Sequence, residues 1–361
     1  MGKLVTNVAL IAIVLMLSVN SCTDTAIFSE KSDEKKVILL HIKTSNTRGI
    51  SHPIPNAEEV KFRTGDLYLV TSEGVIIRHF SIVETNENLP ANAIYRGDFN
   101  SIVALPSVPG SVTEAVIVGN TQGNATSGNV AAVGSRLLNV IDQHDAWSVN
   151  LFGRNELQLR TMQPLYSPEG HRVWETTVHL VPTVTRFEIA AIAGTGNISS
   201  FTMEGIFVDN FYRRAQVNGT IDTTSWVAAG QDADLFTDNS PTFPSALFDW
   251  FPNGLTGLTV SPQQGNVWSY QLFASRHTDF SVTRPPNIVI RLRDVQVEGE
   301  ANARSSPQFI TVSDFLIGGD FVSNIHAGRV YHIPRIEFDE FDLSPRPNEN
   351  AVTLDKQTFI E

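Results

Sequence analysis

The strongest constraint on this chain is an apolar pattern of period two, delivered in short runs that glycine, proline, asparagine and serine keep interrupting. In Val37-Ile38-Leu39-Leu40-His41-Ile42, the residues Ile38, Leu40 and Ile42 share one face of an extended strand. Residues 66–70 and 75–80 flank Thr71-Ser72-Glu73-Gly74, the layout of a hairpin. Further strands are expected at 112–118, 177–180, 185–192, 201–210, 267–273, 288–297, 309–312 and 329–333. Residues 129–144 are the best helix candidate. There Val130, Val133, Leu137, Leu138 and Ile141 recur at three- and four-residue steps, behind Asn129 as N-cap. Many short strands with one or two short helices predict an all-β chain of antiparallel sandwiches.

At 361 residues the chain has room for about two domains, each with its own core. Pro182, which cannot sit inside a central strand, marks a break between Leu180 and Thr185. The expected domains lie on either side of that break, 49–182 and 183–361. Residues 1–21 are laid out as an export leader: Lys3, then the apolar run 8–17, then Ser18-Val19-Asn20-Ser21. Cys22 follows and is the single cysteine, so it has no disulfide partner within the chain. A thiol at that point reads as a lipid attachment site; the alternative is an ordinary leader cut nearby that leaves a free thiol. Residues 22–48 then form a polar tether, 23–36, followed by the first strand.

Composition and motifs exclude several classes. A net charge of -12 disfavours nucleic acid and broad contact with anionic membrane, since both need clustered Lys and Arg. No HExxH pair, GxSxG elbow or phosphate loop is present, and Gly194-Thr195-Gly196 lacks a GK[ST] continuation. His144-Asp145 and His277 with Asp279 read as structural pairs, and residues 337–342 as the solvent face of a strand rather than a calcium loop. The chain is expected not to be an enzyme, with no catalytic residue, no cofactor and no metal. Asp24-Thr25-Ala26 and Asp222-Thr223-Thr224 match a short glycosylation signal, or equally a polar turn.

Three ordered segments carry a family likeness. One is Leu105-Pro106-Ser107-Val108-Pro109 with Val112 and Val116-Ile117-Val118-Gly119-Asn120. The second runs over 178–189 and 201–212, through Val184-Thr185-Arg186-Phe187-Glu188-Ile189 and Phe207-Val208-Asp209-Asn210-Phe211-Tyr212. The third is Gly328-Arg329-Val330-Tyr331-His332-Ile333 with Ile336, Phe338 and residues 343–347. In this order they resemble the fimbrillins, the lipoprotein-derived pilins of Bacteroidales.

The resemblance implies two transthyretin-like β-sandwich domains in a fimbrial subunit for adhesion, located at the outer membrane and cell surface. It also implies a precursor lipidated on Cys22, held to the membrane through that lipid and trimmed by an arginine-specific surface protease. Arg48-Gly49, directly after the first strand in a polar stretch, occupies the family's cleavage position.

Removal of that strand would vacate the groove that Ile38, Leu40 and Ile42 fill, and a strand from another copy could refill it. The donor is expected in the tail 348–361, with Val352 and Leu354 on one face, and Phe359 and Ile360 beyond a break in the alternation. The expected partners are further copies of the chain, other fimbrial subunits and a host or bacterial surface ligand. Alternatives are a minor anchor or tip component, a surface lipoprotein that binds glycan or protein without polymerising, and a secreted hydrolase.

Overall fold

The computed structural model describes residues 34–44, 60–97, 102–121, 123–145, 147–262, 266–276, 286–317, 320–322, 324–349 and 351–354. Its first ten strands are β1 (Lys35–Thr44), β2 (Gly65–Val70), β3 (Ile76–Val83), β4 (Ala93–Tyr95), β5 (Val103–Pro109), β6 (Glu114–Gly119), β7 (Leu137–Asn139), β8 (Leu151–Glu156), β9 (Gln158–Leu159) and β10 (Arg172–Pro182). All but β7 belong to one sheet, in the order β4-β3-β2-β6-β8-β10-β1-β5 with β9 alongside β10. The β2–β3 hairpin closes on Gly74, whose φ of 77° is open to glycine at little cost. Its amide donates to the Thr71 carbonyl at 2.9 Å, and the Thr71 amide donates to Val75 O at 3.0 Å.

Alternation decides how this sheet is buried. Leu67 and Leu69 of β2, with Ala115 and Ile117 of β6, face a core completed by Ile38, Leu40 and Ile42. Tyr68, Val70, Val116 and Val118 point the other way, into a second core that continues into the later strands. A sheet covered on both faces explains the unbroken apolar runs of β2 and β6.

The helix expected over 129–144 is corrected. Asn129 does cap α1 (Val130–Gly134), its Oδ1 accepting from the Ala131 amide at 2.8 Å, but α1 is only 5 residues long. Beyond Ser135 the chain straightens into β7, which pairs with β15 (Arg214–Gln216), and then makes a 3-10 turn over Val140–Gln143. Leu137 is exposed and Leu138 buried, so the pair obeys strand alternation. Ladder bonds to a distant strand outweigh a weak local helix preference here.

After Thr183 the chain enters different sheets. β11 (Val184–Ile189) lies between β19 (Trp268–Phe273) and β25 (Val330–Ile333), and β12 (Ile192–Gly194) between β18 (Thr259–Val260) and β26 (Ile336–Phe338). The largest later sheet runs β17 (Phe248–Gly257), β13 (Ile198–Asp209), β21 (Asn287–Val297), β22 (Gln308–Ile317), β23 (Asp320–Phe321), with β27 (Ala351–Leu354) also on β22. Short ladders join β14 (Phe211–Tyr212) to β16 (Trp226–Val227) and β20 (Ser275–Arg276) to β24 (Asn324–Ile325). Phe187, Phe201, Phe207, Ile290, Phe309 and Tyr331 fill the core between these sheets. The architecture is all-β and sandwich-like, mainly antiparallel, with parallel pairs such as β1 with β10 and β11 with β25.

Candidate functional site

The first strand is held as an inner strand, although it is the first described element of the chain. β1 runs parallel to β10, from Lys36 opposite Arg172 to Thr44 opposite Leu180. On its other side it pairs antiparallel with β5, Ile38 opposite Leu105 and Leu40 opposite Val103. Ile38 and Leu40 are fully buried and Ile42 nearly so. Each such side chain contributes about 1.5–3 kcal/mol by leaving water. The expected plug residues Ile38, Leu40 and Ile42 therefore sit together in one core, between two ladders.

The walls on either side have attachments of their own. β5 is an edge strand broken by a bulge at Pro106-Ser107, with Ser107 at a φ of 54°. The Arg78 guanidinium, from β3, donates to the carbonyls of Pro106 at 3.2 Å and Ser107 at 2.7 Å. The two ends of the sheet thus approach each other, and β5 is fixed by contacts that do not involve β1. β10 is fixed by β8 and β9 on its far edge.

At the amino end of the groove sits a residue the sequence reading placed in the solvated tether. Lys36 is only 3% exposed. Its ammonium donates to the Gly110 carbonyl at 3.1 Å and lies 4.3 Å from the centre of the Trp174 ring. That arrangement pays part of the desolvation of a buried cation with a hydrogen bond and a cation–π contact.

The tail lies elsewhere. β27 runs parallel to β22, Ala351 opposite Thr311 and Leu354 opposite Phe315. Val352 and Leu354 are thus on a strand of the chain's own later sheet, while Ile38, Leu40 and Ile42 are in the first sheet; one chain does not bring the two sets together. Cys22, Arg48, Gly49, Phe359 and Ile360 lie outside the described residues.

The root of the tail is held by a cluster that the sequence reading missed. Asn348 has a φ of 55°, and its amide donates to Thr311 Oγ1 at 2.9 Å. Its Nδ2 donates to Asp209 Oδ2 at 2.9 Å and to Gly230 O at 2.7 Å, while its Oδ1 accepts from Asn287 Nδ2 at 2.9 Å. Burial pushes the Asp209 carboxyl up, and the bonds it accepts from Ala229, Asn210, Asn348 and Gly230 offset only part of that. Positive φ favours asparagine among residues with side chains, which is the one local signal the sequence offered.

Among the described residues, no group of three or more His, Cys, Asp or Glu side chains is placed to hold a metal ion, and no helix is long and apolar enough to cross a membrane.

No family model matches the chain, and no curated protein matches it. Solved structures do match in fold. A fimbrilin from Porphyromonas gingivalis aligns with a TM-score of 0.55 at 12% identity, covering 89% of this chain and 93% of that one. A candidate cell adhesion protein from Bacteroides eggerthii aligns with a TM-score of 0.54 at 14% identity, covering 91% of this chain and 95% of that one. A third, a candidate cell adhesion protein from Parabacteroides distasonis, gives 0.52 at 11% identity, with 90% and 94% covered. At such identities the likeness is one of fold: this chain has the all-β sandwich architecture of the Bacteroidales fimbrillins.

Proposed function

We propose that this chain is a non-enzymatic subunit of a cell-surface fimbria, exported as a lipoprotein precursor and polymerised by strand exchange after cleavage behind Arg48. One observation supports it above the others: β1 lies near the start of the chain, fills a core, and is flanked by walls that keep their own attachments. Loss of an ordinary inner strand would unravel its sheet. Here the loss of β1 vacates a groove with two strand edges, each unpaired buried backbone group costing about 1–3 kcal/mol until another strand arrives. Because donor and acceptor surfaces differ, the contact repeats head to tail and builds a filament. The solved structures of similar fold are named for fimbriae and cell adhesion, which agrees with this reading but does not by itself carry it.

In this scheme Cys22 carries the lipid, the domains are 49–182 and 183–361, and the tail from 348 onward supplies the donor. The partners are further copies of the chain, other fimbrial subunits, an arginine-specific surface protease and an adhesion ligand. A second reading draws on the pairing of β27 with β22: a minor component whose tail stays on its own sheet.

The mature amino terminus of protein from producing cells tests the proposal. Gly49 is expected for the polymerising subunit. Arg48→Ala should hold the precursor as a lipidated monomer, and deletion of 351–361 should leave a folded, trimmed monomer. Filaments of normal length from either variant would overturn strand exchange through these segments.

A further inference from the structure

We infer that the groove vacated by β1 keeps a cation pocket, formed by the Trp174 ring and the Gly110 carbonyl, which sets the register of the incoming strand, and that its occupant is Lys356 of a second copy. The inference rests on the strand-exchange reading and names the residue that aligns the joint.

The pocket is defined by its present tenant. Lys36 Nζ lies 3.1 Å from Gly110 O and 4.3 Å from the Trp174 ring centre, with the residue 3% exposed. Neither wall belongs to β1: Trp174 is on β10, and Gly110 follows β5 in a turn closed by Val112 N donating to Pro109 O at 3.2 Å. Departure of β1 therefore removes the cation and leaves its receptor. An apolar residue entering there would leave a buried carbonyl without a donor, whereas a lysine restores the bond and the ring contact. Leu105, Val108, Val178 and Leu180 share the core with Ile38, Leu40 and Ile42, and Thr176 opposite Leu40 brings a hydroxyl but no charge, so a lysine finds its best place at the Trp174 end.

The tail from Ala351 to Glu361 holds a single basic residue, Lys356. With Lys356 in the pocket, two registers are possible, since residues two apart share a face. If the tail ran as β1 does, Thr358 would take the place of Ile38 and Ile360 that of Leu40. If it ran the opposite way, Leu354 would take the place of Ile38 and Val352 that of Leu40. Only the second register puts apolar side chains into both fully buried positions. The donor then lies antiparallel to β10 and parallel to β5.

This direction also accounts for the far end of the tail. Phe359 and Ile360 would emerge past Arg172, at the end of β10 where Tyr166, 52% exposed, pairs with that arginine. An exposed aromatic side chain thus stands where the two residues that broke the donor's alternation leave the groove.

The test uses filaments from cells producing the full chain with paired cysteines; Cys22, the single native cysteine, leaves with the trimmed segment. Thr176 faces Leu40 across the β1–β10 ladder. Thr176→Cys with Val352→Cys should give a ladder of disulfide-linked subunits, and Thr176→Cys with Ile360→Cys should give none. Lys356→Arg should assemble as the parent does, while Lys356→Met, which keeps length and loses charge, should lower polymer yield about tenfold. Cross-linking through Ile360, alone or as well as Val352, or full assembly by Lys356→Met, overturns the pocket and its register but leaves strand exchange standing. Failure of the trimmed parent to polymerise overturns both.

Discussion

Buried ionisable residues show how this fold handles polar groups that its sheets enclose. Asp249, on β17, accepts a hydrogen bond from the Tyr270 hydroxyl at 2.8 Å. Burial pushes the Asp249 carboxyl above its ordinary 3.8, and the tyrosine's bond offsets only part of that. Burial also pushes the Tyr270 hydroxyl well up, helped by the neighbouring carboxylate. A carboxyl with a raised folded-state pKa binds more protons folded than unfolded between the two values. Its contribution is therefore most favourable below about 3.8, falls as pH rises through the folded value, and is level above it. Asp249→Asn keeps an acceptor for Tyr270 and has no proton to lose. The difference in urea midpoint between this variant and the parent should shift in the variant's favour from pH 3.5 to pH 7 (about the carboxylate range and above it). A difference that stays constant would mean that Asp249 titrates alike in both states.

Strands are where sequence and structure agree best, and where their disagreements have a common cause. The alternation of Ile38, Leu40 and Ile42 made β1 legible, because period two is a local property that burial on one face enforces. Lys36 read as the end of a solvated tether, because its partners Gly110 and Trp174 are remote in sequence. The 129–144 segment read as a helix for the same reason: β15, which straightens β7, comes more than seventy residues later. The Asn348 cluster gathers Asp209, Gly230, Asn287 and Thr311, none of them near it along the chain. Its consequence is mechanical, since it fixes the point from which β27 departs. Asn348→Ala removes three side-chain bonds and places a β-carbon-bearing residue without asparagine's tolerance at a φ of 55°. Amides of 351–354 should then exchange with solvent faster, while those where β21 meets β22 keep their protection. Loss of protection across the whole later sheet would instead make Asn348 a keystone of that sheet.

For the molecule as a whole, the division of its apolar interior into two clusters decides what trimming can do. Ile38, Leu40 and Ile42 belong to the smaller cluster, with Leu67, Leu105 and Val178. The larger one joins the opposite face of the first sheet, through Tyr68, Val116 and Val118, to Phe187, Phe207 and Ile290 of the later sheets, and none of the β1 residues is in it. Polar bonds reinforce that junction: Asn150 Nδ2 donates to Val217 O at 2.9 Å, and Thr183 N donates to Asn150 O at 3.0 Å. Under the proposed strand exchange, removal of β1 would open one face of the first sheet and leave the residues of the other face in the larger cluster. On that proposal, the trimmed chain should stay folded until a replacement strand arrives. Hydrogen exchange should show this in three states. In the precursor, β5 and β10 are protected along their contacts with β1. In the trimmed monomer, held back by deletion of 351–361, those amides should exchange orders of magnitude faster while β13 and β21 stay protected. In the filament, protection of β5 and β10 should return. A trimmed monomer that loses protection in β13 and β21 as well would mean that the two clusters unfold as one, and that the first strand is a foundation of the fold and not a plug.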